Sequence, residues 1–146
     1  MTNLLDLSQI VTTLQSQCPL FAGRVYETIE TNDAALEMFE SPSAMVYLSS
    51  DASGNNLSIS DVIQEHTNGI SIKIVVRKSL TPNDLLNNSD AQQIRLCRQQ
   101  VLDALLGVVP MGAQTPLLHQ SGQLTEKNRY LLWTDLFNTD DFLTTN

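Results

Sequence analysis

The sequence predicts an α+β fold: a single domain with a mixed, mainly antiparallel sheet and two main helices packed on one face. Three observations lead there. Two segments space apolar residues for one helical face, several short runs have strand composition, and polar turn-forming clusters separate them. Each main helix has one apolar stripe, so both pack against the same side of the sheet and leave the other to water or a partner.

Along the chain, Leu7, Ile10, Val11 and Leu14 fall at i, i+3, i+4 and i+7, predicting a helix over Leu4–Leu14. Asp6 or Ser8 caps it, and Cys18-Pro19 ends it, because proline bars helical geometry in the preceding residue. Gly23–Ile29 is rich in β-formers and reads as a strand. Asp33–Phe39 makes a short helix that stops at Ser41-Pro42. Ala44–Leu48 is continuously apolar, the pattern of a strand buried on both faces. Ser49–Asn56 is polar and turn-forming and is expected as an exposed loop. Two strands follow, Ser58–Thr67 and Ile70–Lys78, joined by Asn68-Gly69, a strong hairpin signal.

A second polar linker covers Thr81–Ser89, after which Ser89 or Asp90 caps a long helix reaching Leu106. Its inner face carries Ile94, Cys97, Val101, Ala104 and Leu105, and Gly107 occupies the usual glycine position beyond a helix end. Leu117–Leu124 and Arg129–Asn138 form a closing hairpin over Thr125–Asn128, and residues 139–146 are expected as a loose tail. No internal repeat and no natural division into two domains is visible, so residues 1–146 read as one unit.

The composition is that of a globular chain: of 146 residues, 42% are apolar and 16% charged. No apolar run approaches the roughly 20 residues that span a bilayer. The first fifteen residues lack a basic flank and an unbroken apolar core, so no signal peptide is expected and the chain is assigned to a cytoplasm. Sixteen acidic against eight basic residues give a net charge of −8. That sign is wrong for gripping nucleic-acid phosphates, and it suits a soluble surface or one that repels DNA.

Signals of catalysis or cofactor binding are missing. His66 and His119 have no metal-ligand spacing, and Glu65 and His66 point to opposite faces of a strand. No nucleophile elbow and no phosphate-cradling glycine motif occurs, so no cofactor, no metal and no enzyme activity is expected. Cys18 and Cys97 read as buried reduced thiols. Asp140-Asp141 reads as a solvated chain end, and Glu126 with Asp135 as a hairpin rim. Arg95 and Arg98 occupy the outer side of the long helix, either solvated or in salt bridges between subunits. Trp133 packs in the core or anchors an interface.

An N-terminal helix that leads into Phe21-Ala-Gly-Arg-Val-Tyr26, and a second strand that opens with Pro42-Ser-Ala-Met-Val-Tyr47, resemble the tail terminator family of tailed phages. Arg98–Gly107 ends in leucine-glycine before Pro110, like the family's long helix. Pro116–Leu124 followed by Tyr130–Thr139, with Trp133, resembles its closing hairpin. Val108 and Leu132 stand where relatives often carry aromatic residues.

The resemblance implies a virion protein of the tail or neck, assembled in the host cytoplasm. It would form a homo-oligomeric ring, typically of six copies, that caps the head-proximal end of the tail tube. Its partners would be itself, the tail-tube protein and a head-completion or connector protein, with DNA passing through the lumen and no membrane involved. Another neck or baseplate ring component is the alternative within the class, and a small ligand- or peptide-binding module the alternative outside it. The candidate interface residues are Asp51, Asn55, Asn56, Asn83, Asp84, Arg95, Arg98, Trp133 and Phe137.

Overall fold

The structure, a computed structural model, describes residues 4–29, 40–79 and 89–145. Helix α1 spans Ser8–Gln17 and is followed by a 3-10 turn, Pro19–Phe21. Strands β1 (Val25–Glu27), β2 (Ser43–Asn56) and β3 (Ile63–Arg77) come next. Helix α2 (Ser89–Leu105) and strands β4 (Leu118–Lys127) and β5 (Tyr130–Thr144) complete the order. The predicted helix at Asp33–Phe39 lies outside the described residues.

The five strands form one mixed sheet in the order β1-β2-β3-β5-β4, with β1 parallel to β2 and every other pair antiparallel. Both helices lie on one face. Leu7, Ile10 and Leu14 around α1 and Ile94, Cys97, Val101, Ala104 and Leu105 of α2 share one core with Ile70, Ile72, Ile74, Val76 and Phe137. The alternation of β3 makes this possible: Ile70, Ile72 and Ile74 all face the helices. The opposite face is not simply open, because Met45, Val75, Tyr130 and Leu132 form a second buried cluster there. β2, β3 and β5 each supply apolar side chains to that side.

Helix α1 begins later than the apolar spacing predicts, and Leu4 is exposed. Asp6 acts one residue ahead of the cap position, its Oδ1 accepting the Ser8 N–H at 2.9 Å. The inner stripe of α2 is as predicted, and Gly107 follows the helix at φ 80°, a conformation that glycine adopts at little cost.

The largest departures concern the strands. Asn68-Gly69 is not a turn. β3 runs straight through it, with Gly69 opposite Ser50 on one side and Asn138 on the other. A Cβ at Gly69 would collide with the Ser50 hydroxyl, so the glycine leaves room for that side chain beside a bulge in β2. The reversal lies at residues 57–62, organised by Asn56. Its Oδ1 accepts the N–H groups of Ser58 (3.2 Å) and Ile63 (2.9 Å), and its Nδ2 donates to the Asp61 carbonyl (3.1 Å).

The expected loop Ser49–Asn56 is the outer half of β2, with side chains exposed but its backbone paired to β3. Its polarity reflects water on both faces, not absence of a ladder. Residues 139–144, expected as a loose tail, continue β5 and pair with β3 from Asn68 to Ile63. A three-stranded arm, built from residues 49–56, 63–67 and 139–144, therefore extends from the helix-covered sheet.

Candidate interaction surfaces

Two polar clusters hold the sheet where the apolar core gives out. The first centres on Asp135, whose side chain is completely buried. Arg98 grips it twice, Nε to Oδ2 at 3.1 Å and Nη2 to Oδ1 at 2.9 Å. Trp133 Nε1 donates to Oδ1 at 3.0 Å, and His119 Nε2 lies 2.8 Å from the same oxygen. The Arg98 guanidinium also stacks 4.2 Å above the Trp133 ring. Burial alone would raise the Asp135 pKa. The bonds from Arg98, Trp133 and His119 outweigh it and hold the carboxyl below its usual 3.8.

This corrects the placement of Arg98 on a solvated face or between subunits: it turns inward to a buried carboxylate of its own chain. Asp135 is likewise no hairpin rim residue. Gly122 of β4 makes room for the cluster, since a Cβ there would sit 2.8 Å from Trp133 Cζ2 and 2.9 Å from Asp135 Oδ1.

The second cluster pins the arm. His66, only 3% exposed, sits between two carboxylates: Nδ1 to Asp141 Oδ1 at 2.7 Å and Nε2 to Asp51 Oδ2 at 2.9 Å. Ionised carboxylates only accept, so an imidazolium donating from both nitrogens satisfies the pair. The Asp51 bond foremost, then the Asp141 bond and both charges, raise the His66 pKa above 6.5 against the opposing effect of burial. Asp141 is 2% exposed, which corrects its reading as a solvated chain end, and its Oδ2 has no partner among the described residues. Beside it lies a cavity of about 220 Å³ lined by Glu65, Thr67, Thr115, Asp140 and Asp141 among others.

The remaining predicted interface residues separate clearly. Phe137 is fully buried in the core and presents nothing to a partner. Trp133 is half-buried beneath Arg98. Asn55 and Arg95 are exposed, Asn56 closes the β2–β3 turn, and Asp51 reaches His66 from an exposed position. Asn83 and Asp84 lie outside the described residues. The sequence reading missed the exposed apolar tip of the arm, where Leu57, Ile59, Val62, Ile63 and Phe142 face water. Its signal was available in Leu57-Ser-Ile-Ser-Asp-Val-Ile63, an alternating segment misread as the start of a strand.

Cys18 and Cys97 are buried and free, and burial pushes each thiol up to about 11. Among the described residues no group of three or more His, Cys, Asp or Glu could hold a metal ion, and no helix is long and apolar enough to cross a membrane.

A domain of this kind, with polar clusters bracing a sheet and an exposed apolar arm tip, has the features of an assembly component. The family model described as phage tail terminator protein matches residues 1–146, which makes the chain a structural protein of a phage tail and a virion component. It belongs to the phage tail terminator family. Its fold is similar to that of a chain in the virion of a native gene transfer agent particle. That likeness has a TM-score of 0.55 at 12% identity and covers 93% of this chain and 92% of the other. No curated protein matches the sequence.

Proposed function

We propose that this protein forms a ring, of six copies, that caps the head-proximal end of the phage tail tube. The cap stops tube polymerisation and gives head-completion proteins a docking face. It acts by binding and geometry without catalysis, after assembly in the host cytoplasm. The family match over the whole chain carries this reading. The subunit's shape supports it: among the described residues β4 and the outer half of β2 each leave one strand edge unpaired, and such edges invite a neighbour. Contacts between unlike surfaces close into a ring when the rotation per copy closes. A net charge of −8 lets DNA pass the lumen without adhering, because like charges repel across a wet channel.

The test is light scattering of the purified protein, electron micrographs of the same sample, and a tube-capping assay with polymerising tail-tube protein. Closed rings that arrest tube length support the proposal. Rings that leave tube length unchanged point instead to another neck or baseplate position. A ligand-saturable monomer that never binds tubes overturns it.

A further inference from the structure

The described charges are distributed along the strand axis. The arm carries Asp51, Asp61, Glu65, Asp140 and Asp141 and no lysine or arginine. At the other end of the same strands, Arg77, Lys78, Lys127 and Arg129 gather at the β4–β5 turn, where Glu126 is the adjoining carboxylate, 3.2 Å from Lys78. Register keeps these cations together: Arg77 and Lys127 both pair with Tyr130, and the Lys78 N–H donates to the Arg129 carbonyl at 2.6 Å. Twelve residues of extended strand separate Arg129 from Asp141, about 40 Å at ~3.3 Å per residue.

Arg129 is exposed on the turn and forms no salt bridge among the described residues. Asn128, at φ 53°, holds that turn in the left-handed conformation that asparagine tolerates. At the arm, the 220 Å³ cavity has the carboxylates of Glu65 and Asp140 exposed in its lining, both on the same face of the β3–β5 pair. A cationic donor brought into the cavity meets both carboxylates in charge-assisted hydrogen bonds. The apolar tip beside it, Leu57, Ile59 and Phe142, supplies area that a charge contact alone lacks.

We propose that the occupant of this cavity is the β4–β5 turn of a second copy of the chain, with Arg129 of that copy entering between Glu65 and Asp140. Acidic arm meets basic turn, head to tail. The two surfaces differ, so the contact is heterologous and repeats from copy to copy, as ring closure requires. The inference rests on the ring reading above and names the contact that would build the ring.

The experiment uses two full-length double variants, one reversing the cavity (Glu65→Lys with Asp140→Lys), the other reversing the turn (Arg77→Glu with Arg129→Glu). Each is measured by light scattering alone and after equimolar mixing, with circular dichroism confirming the fold. Each variant alone faces like charge at every contact and is expected to lose the wild-type assembly, its association weakened at least tenfold. In the mixture every contact is complementary again, so the wild-type mass returns with the two variants in equal amounts. Raised salt weakens wild type and mixture alike.

Three outcomes overturn the proposal: either variant alone keeps the wild-type assembly, the mixture fails to restore it, or the wild-type chain never self-associates. In the first case wild-type rings still form, so the tail-cap reading survives and only this contact is lost. Rings that form and depend on these charges but do not arrest tubes sink the cap reading and leave the contact standing.

Discussion

Replacing Arg98 with methionine tests whether Asp135 is tolerable in the sheet only because of its partners. The substitution removes two charge-assisted hydrogen bonds and the stack on Trp133, while keeping an apolar stem of similar length. Removing one partner of a buried ion pair costs about 3–5 kcal/mol, because the other charge is left uncompensated. Here the value is reduced. The Arg98 side chain is 27% exposed, and Trp133 and His119 still face Asp135. A loss of about 2–3 kcal/mol is expected, lowering the urea midpoint by roughly 1–2 M at a typical slope. Unfolding is followed by the fluorescence of Trp133, the single tryptophan, at one fixed protein concentration because assembly adds to apparent stability.

The double variant Arg98→Met with Asp135→Leu should lose at least about 1 kcal/mol less than the two single losses added together. The pH profile adds a second readout. A carboxyl whose folded pKa is depressed contributes stability that is present above its unfolded value, near 3.8, and is lost as pH falls through the lower folded value. Without Arg98 the acid loss begins at higher pH. If Arg98→Met costs under about 0.5 kcal/mol, or the two substitutions are additive, Arg98 is not what holds Asp135 and the reasoning fails.

Four further outcomes follow from the same structure. Phe137→Ala, at a fully buried position, should destabilise by about 3–5 kcal/mol in urea unfolding. Gly122→Val forces a side chain into Trp133 and Asp135 and should cost about 1–3 kcal/mol, with a shifted Trp133 emission as the local report. The raised pKa of His66 means its bonds to Asp51 and Asp141 contribute fully below pH 6.5 and fade as pH rises through the folded value. Asp51→Ala should lower that value in an imidazole NMR titration, and an unchanged titration would falsify the clasp. Cys18 and Cys97, raised to about 11, should resist alkylation at pH 8 until the chain unfolds, which mass spectrometry of labelled protein checks.

Helix α2 was legible residue by residue because its stripe, Ile94 to Leu105, is enforced by one period and bounded by Gly107. The inner strands were equally plain wherever one face is apolar, as in Ile70, Ile72, Ile74 and Val76. Legibility ended where apolar pattern ended. In the arm both faces are polar, so Ser49–Asn56 and Thr139–Thr144 carry no alternation that distinguishes a paired strand from a loop. Asn68-Gly69 misled because glycine serves two needs, the left-handed turn and room for a neighbour's side chain, and only the position of Ser50 decides between them. Apart from Trp133, two positions from Asp135, the Asp135 and His66 clusters join residues 15 to 75 positions apart, and no local spacing announces them.

The strand order β1-β2-β3-β5-β4 sets a timetable for synthesis. β5 leaves the ribosome after the other four strands, yet it is the one that lies between β3 and β4. Until it is made, β3 shows a bare edge to its full length, Asp135 has not arrived to meet Arg98, and His66 lacks Asp141. A chain under translation therefore has neither a finished sheet nor a finished arm. If the proposed ring forms, the capacity to recognise another subunit appears late, close to the moment when the sheet closes. Timing of this kind would guard the chain against engaging its neighbours while still attached to the ribosome.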